Sequence, residues 1–231
     1  MIILIFLVVM YALGFRAGTF GIGKVGKIEI SIPFAQTAVY VDQSDKTVTS
    51  TDKQIVELVL SPTTHSIIIS KDGYLPWTKD VLVPSNGKKA LIPIFVPANT
   101  SGLFVTNKDP DYYKIKNSIL ADKLPTKDNP RISDDKTTTV WVEENTIIAK
   151  KGDVLSTVIQ PETPVRNVNF YKDRSDAVVF STGNTIYVIE IDKEGTQNFL
   201  PIYTGQNPSF VRPDANNLYV LNGETLMQIG I

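Results

Sequence analysis

Short segments in which apolar and polar residues alternate recur along most of this 231-residue chain. In the segment KIEISI, the apolar residues Ile28, Ile30 and Ile32 fall on one face, and polar residues fall on the other. A period of two is typical of a half-buried β-strand. Similar segments, separated by turn residues, follow along the chain. The sequence therefore predicts an all-β fold.

Between residues 22 and 97, short strand-like segments follow one another without a helical period. They are Lys27–Ile32, Ala38–Val41, Gln54–Leu60, Thr64–Ser70, Asp80–Val83 and Ala90–Val96. Turn signals such as Ser61-Pro62 and Asp72-Gly73 separate them. Many short strands in so short a stretch predict a small β-sandwich over residues 22–97.

Three short motifs stand out in this region, namely Val39-Tyr40-Val41-Asp42, Pro62-Thr63-Thr64-His65 and Lys71-Asp72-Gly73-Tyr74. They resemble motifs of PEGA domains, which are bacterial and archaeal surface modules. The naming tetrapeptide is replaced by Pro33-Phe34-Ala35-Gln36, and Gln43 and Thr63 stand where the family has glycine. Glycine permits backbone angles that other residues rarely adopt, so these two changes predict longer or reshaped turns. The resemblance implies a PEGA-like β-sandwich that acts as a spacer outside the membrane.

The first residues, Met1 to Phe15, carry no charge. As a helix they would span roughly 22 Å, and continuation to Ile22 gives roughly 33 Å, against a hydrocarbon core about 30 Å thick. We therefore expect residues 1–21 to form a transmembrane anchor in contact with a membrane. A signal peptide and a core segment of a soluble domain are the alternatives.

Membrane orientation is predicted differently by two features. Arg16, Lys24 and Lys27 follow the apolar segment, and the positive-inside rule then places the body of the protein in the cytoplasm. The PEGA resemblance instead implies an extracytoplasmic body. We expect a single-pass membrane protein with the body outside, and we expect the chain to begin within a longer protein.

A repeat near forty residues occupies the region 98–231. Its units begin at Ile132, Phe170 and Phe210, and each continues with an Asp turn and two strands joined by a short polar turn. This pattern resembles WD40-like or TolB-like β-propellers, without their Gly-His and Trp-Asp signatures, and predicts about three propeller-like β-blades of an incomplete set. Ahead of the repeat, a weak period over Tyr112–Lys123 predicts a short helix.

Because the chain stops at Ile231 after a strand, we expect a longer protein or an oligomer to cover an open edge.

Composition and motifs exclude several kinds of chemistry. The absence of cysteine removes disulfides, thiolate nucleophiles and Cys-ligated metals, and a net charge of −1 argues against nucleic-acid binding. Gly21–Gly26 spells G-x-G-x-x-G, but a dinucleotide loop needs a strand before it and a helix after it. We interpret that segment as a linker, and the pairs Asp134-Asp135 and Glu143-Glu144 as solvated turn residues. We therefore expect no cofactor, no metal site and no enzymatic activity.

Three side chains remain as candidates for a specific role. Trp77 and Trp141 are candidate ligand-stacking aromatics, with core packing as the alternative. His65 is interpreted as a structural histidine that bonds a turn carbonyl. The function that fits is a non-enzymatic, membrane-anchored cell-envelope module whose propeller-like surface binds protein or cell-wall polymer. The alternatives are a peptidoglycan- or glycan-binding protein and a propeller-based hydrolase fragment.

Overall fold

The structure is a computed structural model that describes residues 2–12, 15–18, 21–43, 45–49 and 54–231. Apart from two short helices, the regular elements of these residues are β-strands, so the all-β prediction is confirmed for them. The chain divides into two compact units. Unit 1 comprises residues 1–95 and 194–196, and unit 2 comprises residues 96–193 and 197–231.

Unit 1 contains one helix and strands that form two larger sheets and a hairpin. Its elements are α1 (Ile2–Ala12), β1 (Phe15–Gly18), β2 (Gly21–Lys24), β3 (Gly26–Ile32), β4 (Ala38–Val41), β5 (Asp45–Val48), β6 (Gln54–Leu60), β7 (Thr64–Ser70), β8 (Trp77–Leu82) and β9 (Lys88–Leu91). One sheet has the order β6-β3-β9, in which β3 is antiparallel to β6 and parallel to β9. The other has the order β5-β4-β7-β8 and is antiparallel.

The core of unit 1 is built from the alternating residues of these sheets. Ile28, Ile30 and Ile32 are buried along β3, while the residues between them are partly or fully exposed. Ile67 and Ile69 are buried in the same way along β7. Each sheet therefore buries one face, which is consistent with a β-sandwich.

The predicted transmembrane anchor over residues 1–21 was wrong. No helix in the described part of the chain is long and apolar enough to cross a membrane. Helix α1 has 11 residues, which corresponds to a length of about 16 Å, and residues 15–18 and 21–24 form the β1–β2 hairpin instead. Gly18, Gly21 and Gly23 are poor helix formers, which favours ending the helix before this segment.

The predicted single-pass membrane localisation with an extracytoplasmic body was wrong for the same reason. Contact of residues 1–21 with a membrane is a separate prediction, which stays a prediction.

Unit 2 contains one helix and the remaining strands. They are β10 (Gly102–Val105), α2 (Tyr112–Ala121), β11 (Arg131–Ile132), β12 (Thr138–Glu143), β13 (Thr146–Lys151), β14 (Val154–Ile159), β15 (Val165–Phe170), β16 (Ala177–Thr182), β17 (Thr185–Glu190), β18 (Phe199–Thr204), β19 (Ser209–Val211), β20 (Asn217–Asn222) and β21 (Thr225–Gly230). They form four-stranded antiparallel sheets with the orders β11-β12-β13-β14, β15-β16-β17-β18 and β10-β21-β20-β19.

The propeller part of the fold-class prediction was also wrong. The sequence repeat corresponds to separate four-stranded sheets, and none of the sheets among the described residues is closed. In each sheet, the two repeat strands are joined by a two-residue hairpin, as in the pairing of Thr182 with Thr185. The fold is therefore corrected to an all-β fold of small open sheets.

The strand at the end of the chain is not the open edge that the sequence predicts. Strand β21 pairs on one side with β20 and on the other with β10, more than a hundred residues earlier in the chain. Strand β21 is therefore an inner strand of this sheet, and β10 is the strand at its edge.

Candidate functional site

Strand β10 forms one edge of its sheet. It pairs antiparallel with β21, so that Leu103 lies opposite Gln228 and Phe104 lies opposite Met227. Among the strands of the described residues, β10 has no second neighbour. The backbone groups along its outer side are therefore available to another chain. We call Leu103, Phe104 and this outer side of the strand the β10 edge.

The two large side chains of the β10 edge lie on opposite faces of the sheet. Leu103 is 74% exposed and Phe104 is 72% exposed, and successive residues of a strand alternate between faces. Val105 and Leu226 pack around Ile119 of α2, which identifies the α2 face of the sheet. Leu103 lies on that face and Phe104 on the other. The edge thus presents one large apolar side chain on each face.

The neighbouring segments hold β10 in place. The hydroxyl of Thr100 donates a hydrogen bond to the carbonyl of Ile202, and beyond the strand the Thr106 amide donates to Asp109 Oδ2 at 2.6 Å. At Gly102, a Cβ atom would lie only 2.7 Å from the Gln228 carbonyl oxygen. Glycine at this position therefore permits the close approach of β10 to β21.

The equivalent edges of the other two sheets of unit 2 are irregular. Strand β14 pairs with β13 across a register shift between Ile147 and Ile148, and β18 pairs with β17 across one between Ile186 and Tyr187. Strand β18 also contains Pro201, which has no amide hydrogen to donate. Bulges and proline protect edges from pairing with another strand. The pairing of β10 with β21 has no register shift.

A polar cluster in unit 1 surrounds the histidine of the chain. His65 begins the buried face of β7, and its Nδ1 lies 2.7 Å from Oδ2 of Asp42. Its Nε2 lies 3.0 Å from the carbonyl oxygen of Ser61, 3.1 Å from the Ser61 hydroxyl and 3.2 Å from the Thr63 hydroxyl. The prediction that His65 contacts a turn carbonyl is confirmed.

The chemistry of this cluster favours a structural role. A hydroxyl, an imidazole and a carboxylate in a row are the groups used in nucleophilic catalysis. Here the nearest oxygen to Nε2 is a carbonyl, which only accepts hydrogen bonds. The hydrogen bond from His65, together with that from the Ser66 amide, lowers the pKa of Asp42. The cluster therefore ties the turn after β4 to the turn before β7.

A second polar cluster joins the Asp turns of the three sheets in unit 2. Arg212, which follows β19, donates a hydrogen bond to the carbonyl of Lys172 and lies 3.3 Å from a carboxylate oxygen of Asp134. Lys172 follows β15, and Asp134 follows β11. Burial, with a smaller contribution from the nearby Arg174 charge, lowers the pKa of Lys172. One guanidinium therefore links the first turns of all three sheets.

The two tryptophans that the sequence predicts as stacking residues are buried. Trp77 is 2% exposed in unit 1, and Trp141 is 5% exposed in unit 2. A ring at such burial packs in a core and presents little surface to a sugar. Their role in ligand stacking stays a prediction, and the structure does not bring the two residues together in one unit.

Sequence reasoning missed the β10 edge. The four residues of β10 show no alternation of buried and exposed side chains, because Leu103 and Phe104 are adjacent and both exposed. The available signal was the pair Leu103-Phe104, two adjacent large apolar residues within the uncharged stretch Ala90–Asn107. Within the described residues, no group of three or more His, Cys, Asp or Glu side chains is placed to hold a metal ion.

Comparison with models of known protein families and with curated protein sequences finds no match for this chain.

Proposed function

We propose that this chain is a non-enzymatic binding module that uses the β10 edge to bind a protein partner. The observation that carries the proposal is the exposure of Leu103 and Phe104 on opposite faces of one edge strand. Single exposed apolar side chains are ordinary on protein surfaces. A regular, uncharged edge strand with two of them is the kind of edge that natural proteins cover or protect.

The size of the surface sets the expected affinity. Burial of a leucine and a phenylalanine side chain contributes roughly 1.5–3 kcal/mol each. The loss of translational and rotational freedom opposes this gain. We therefore expect dissociation constants on the order of 10 μM to 1 mM for a short peptide partner.

Unit 1 has a different part in this proposal. The resemblance of residues 22–97 to PEGA domains supports a role for it as a spacer, while unit 2 carries the binding surface. The membrane-anchored form of the predicted function is left out, because no described helix is long and apolar enough to cross a membrane.

The proposal is tested with peptides that the full chain selects from a random decapeptide library displayed on phage. Labelled copies of the enriched peptides are titrated against the chain by fluorescence anisotropy. We expect Leu103→Ser and Phe104→Ser each to weaken binding about tenfold or more, because each removes an apolar group from the edge. Circular dichroism checks that the variants are folded.

Matched controls remove exposed apolar side chains elsewhere in unit 2. Leu155 on β14 is 62% exposed and Tyr113 on α2 is 64% exposed, and Leu155→Ser and Tyr113→Ser are expected to bind as the unsubstituted chain does. A library from which nothing is enriched overturns the proposal. So do selected peptides whose binding ignores both Leu103→Ser and Phe104→Ser.

A further inference from the structure

The geometry of the β10 edge points to the manner of binding and to the kind of partner. We infer that the partner contributes an extended, uncharged segment that adds to β10 as a further strand of the sheet. This inference rests on the proposed function and deepens it by naming the form that the partner takes.

The inference rests on the exposure of one large apolar side chain on each face of the β10 edge. Leu103 and Phe104 are adjacent and lie on opposite faces of the sheet. A partner that packs flat against one face covers only one of them. A strand added at the edge extends both faces at once and places its own alternating side chains beside Leu103 on one face and beside Phe104 on the other. Only the second arrangement buries both side chains.

The chemistry of the edge defines the partner. The stretch Pro97–Asn107 carries no charge, so a charged segment laid along it would lose hydration without gaining an ion pair. The unpaired backbone groups of β10 satisfy the backbone of an incoming strand, as in other cases of strand addition. The partner is therefore a peptide segment with apolar or β-branched residues at neighbouring positions.

The edge is also fixed before the partner arrives. Thr100 is bonded to Ile202, Thr106 is bonded to Asp109, and Gly102 lies close against Gln228. Contacts on both sides of the strand lower the entropy that binding must remove. The equivalent strands β14 and β18 carry register shifts, so of these three strands the inference assigns strand addition to β10.

The test uses the peptides selected in the previous experiment, synthesised with N-methyl groups on alternate residues. In an extended strand, alternate amides point to opposite edges. One set of methyl groups therefore blocks the edge that meets β10, and the other set blocks only the far edge. We expect one set to weaken binding to the full chain about tenfold or more, and the other to leave it within about threefold.

A second measurement locates the added strand on the protein. We expect saturating peptide to slow hydrogen exchange at amides of β10, Gly102–Val105, and to leave those of Val154–Ile159 unchanged. Peptides that bind through Leu103 and Phe104 while both methylated sets have equal effects overturn strand addition but leave the binding function standing. Loss of binding that ignores Leu103 and Phe104 instead overturns the proposed function itself.

Discussion

The Nδ1 atom of His65 lies 2.7 Å from Oδ2 of Asp42, and the Ser66 amide donates to the other carboxylate oxygen at 3.0 Å. The contact joins the end of β4 to the start of β7. The His65 hydrogen bond is the largest cause of the lowered pKa of Asp42, which lies below its ordinary value of 3.8. Ionised Asp42 therefore stabilises the fold of unit 1.

The pH dependence of unit 1 follows from the direction of this shift. A carboxyl group whose pKa is lower in the folded chain contributes stability above its unfolded pKa, and this stability is lost as the pH falls through the folded value. We expect the free energy of unfolding of unit 1 to decline as the pH drops below about 4. Asp42→Asn should remove this part of the decline.

The two tryptophans of the chain make the measurement specific. Trp77 belongs to unit 1 and Trp141 to unit 2, so urea unfolding of a Trp141→Phe chain, followed by fluorescence, reports unit 1. Asp72 is exposed in a turn of the same unit, and Asp72→Asn is the matched control that should keep the pH profile. Parallel profiles for Asp42→Asn and the unsubstituted chain would contradict the prediction.

A glycine at position 43 should stabilise unit 1. Asp42 and Gln43 both have positive φ angles, 49° and 65°, in the left-handed region that costs a residue with a Cβ about 1–2 kcal/mol. Asp42 is held there by its bonds to His65 and Ser66, whereas the Gln43 side chain is exposed. We expect Gln43→Gly to raise the free energy of unfolding by about 0.5–1 kcal/mol, since glycine's greater unfolded-state entropy offsets part of the gain.

The same fluorescence measurement checks this prediction. Ser31→Gly is the control, because Ser31 is an exposed residue of the regular strand β3, where glycine destabilises. A Gln43→Gly chain that unfolds at lower urea concentration than the unsubstituted chain would show that the left-handed turn carries no strain.

Much of unit 1 could be predicted because a buried sheet face leaves a period of two in the sequence. The expected strands Gln54–Leu60 and Thr64–Ser70 coincide with β6 and β7, and Lys27–Ile32 differs from β3 by one residue. Strand β5, Asp45–Val48, is short and polar, and it was missed because only its pairing with β4 marks it as a strand.

Pairing between distant segments could not be predicted. The parallel contact of β3 with β9 and the contact of β10 with β21 join strands far apart in the chain, and nothing in the local pattern of either strand specifies its partner. For the same reason the repeat predicted the hairpins of unit 2 but not the edge that became the candidate site. The transmembrane prediction failed because it gave more weight to the apolar segment Met1–Phe15 than to the low helix propensity of Gly18, Gly21 and Gly23 after it.

Replacement of Trp77 tests whether its ring serves the core or a ligand. Trp77 is nearly fully buried, so we expect Trp77→Ala to lower the free energy of unfolding of unit 1 by about 3–5 kcal/mol. Trp77→Phe keeps apolar volume and should recover much of the loss. Urea unfolding followed by circular dichroism measures both variants, and the exposed Tyr113→Ala should change stability by no more than about 0.5 kcal/mol.

Sedimentation with purified cell-wall material separates the two roles of this tryptophan. If the indole only fills the core, Trp77→Phe and the unsubstituted chain give the same amount of sedimented protein. A folded Trp77→Phe chain that no longer sediments, where the unsubstituted chain does, would contradict the core role and support stacking on a wall polymer.

Arg212 should stabilise unit 2 by joining turns from different sheets. Its side chain is 13% exposed and lies 3.3 Å from Asp134, 78 residues earlier in the chain, and it also donates to the carbonyl of Lys172. We expect Arg212→Gln to lower the free energy of unfolding of unit 2 by about 1.5–3 kcal/mol, the contribution of hydrogen bonds to a charged group. Arg212→Lys should recover little, because the compact ammonium of lysine lacks the planar fork of donors with which the guanidinium reaches both acceptors.

The matched control for Arg212 is Arg174, whose guanidinium bonds to Asp176 only two residues away, with two contacts of 2.7 Å. Because that pair lies within a single turn, we expect Arg174→Gln to cost less than Arg212→Gln. Urea unfolding of a Trp77→Phe chain, followed by the fluorescence of Trp141, measures unit 2.

A double-mutant cycle of Arg212→Gln with Asp134→Asn should give a coupling energy of about 0.5 kcal/mol or more. A coupling energy of zero would mean that the Asp134 contact does not stabilise the junction of the sheets and that Arg212 acts through its contacts with the Lys172 carbonyl and Asp173.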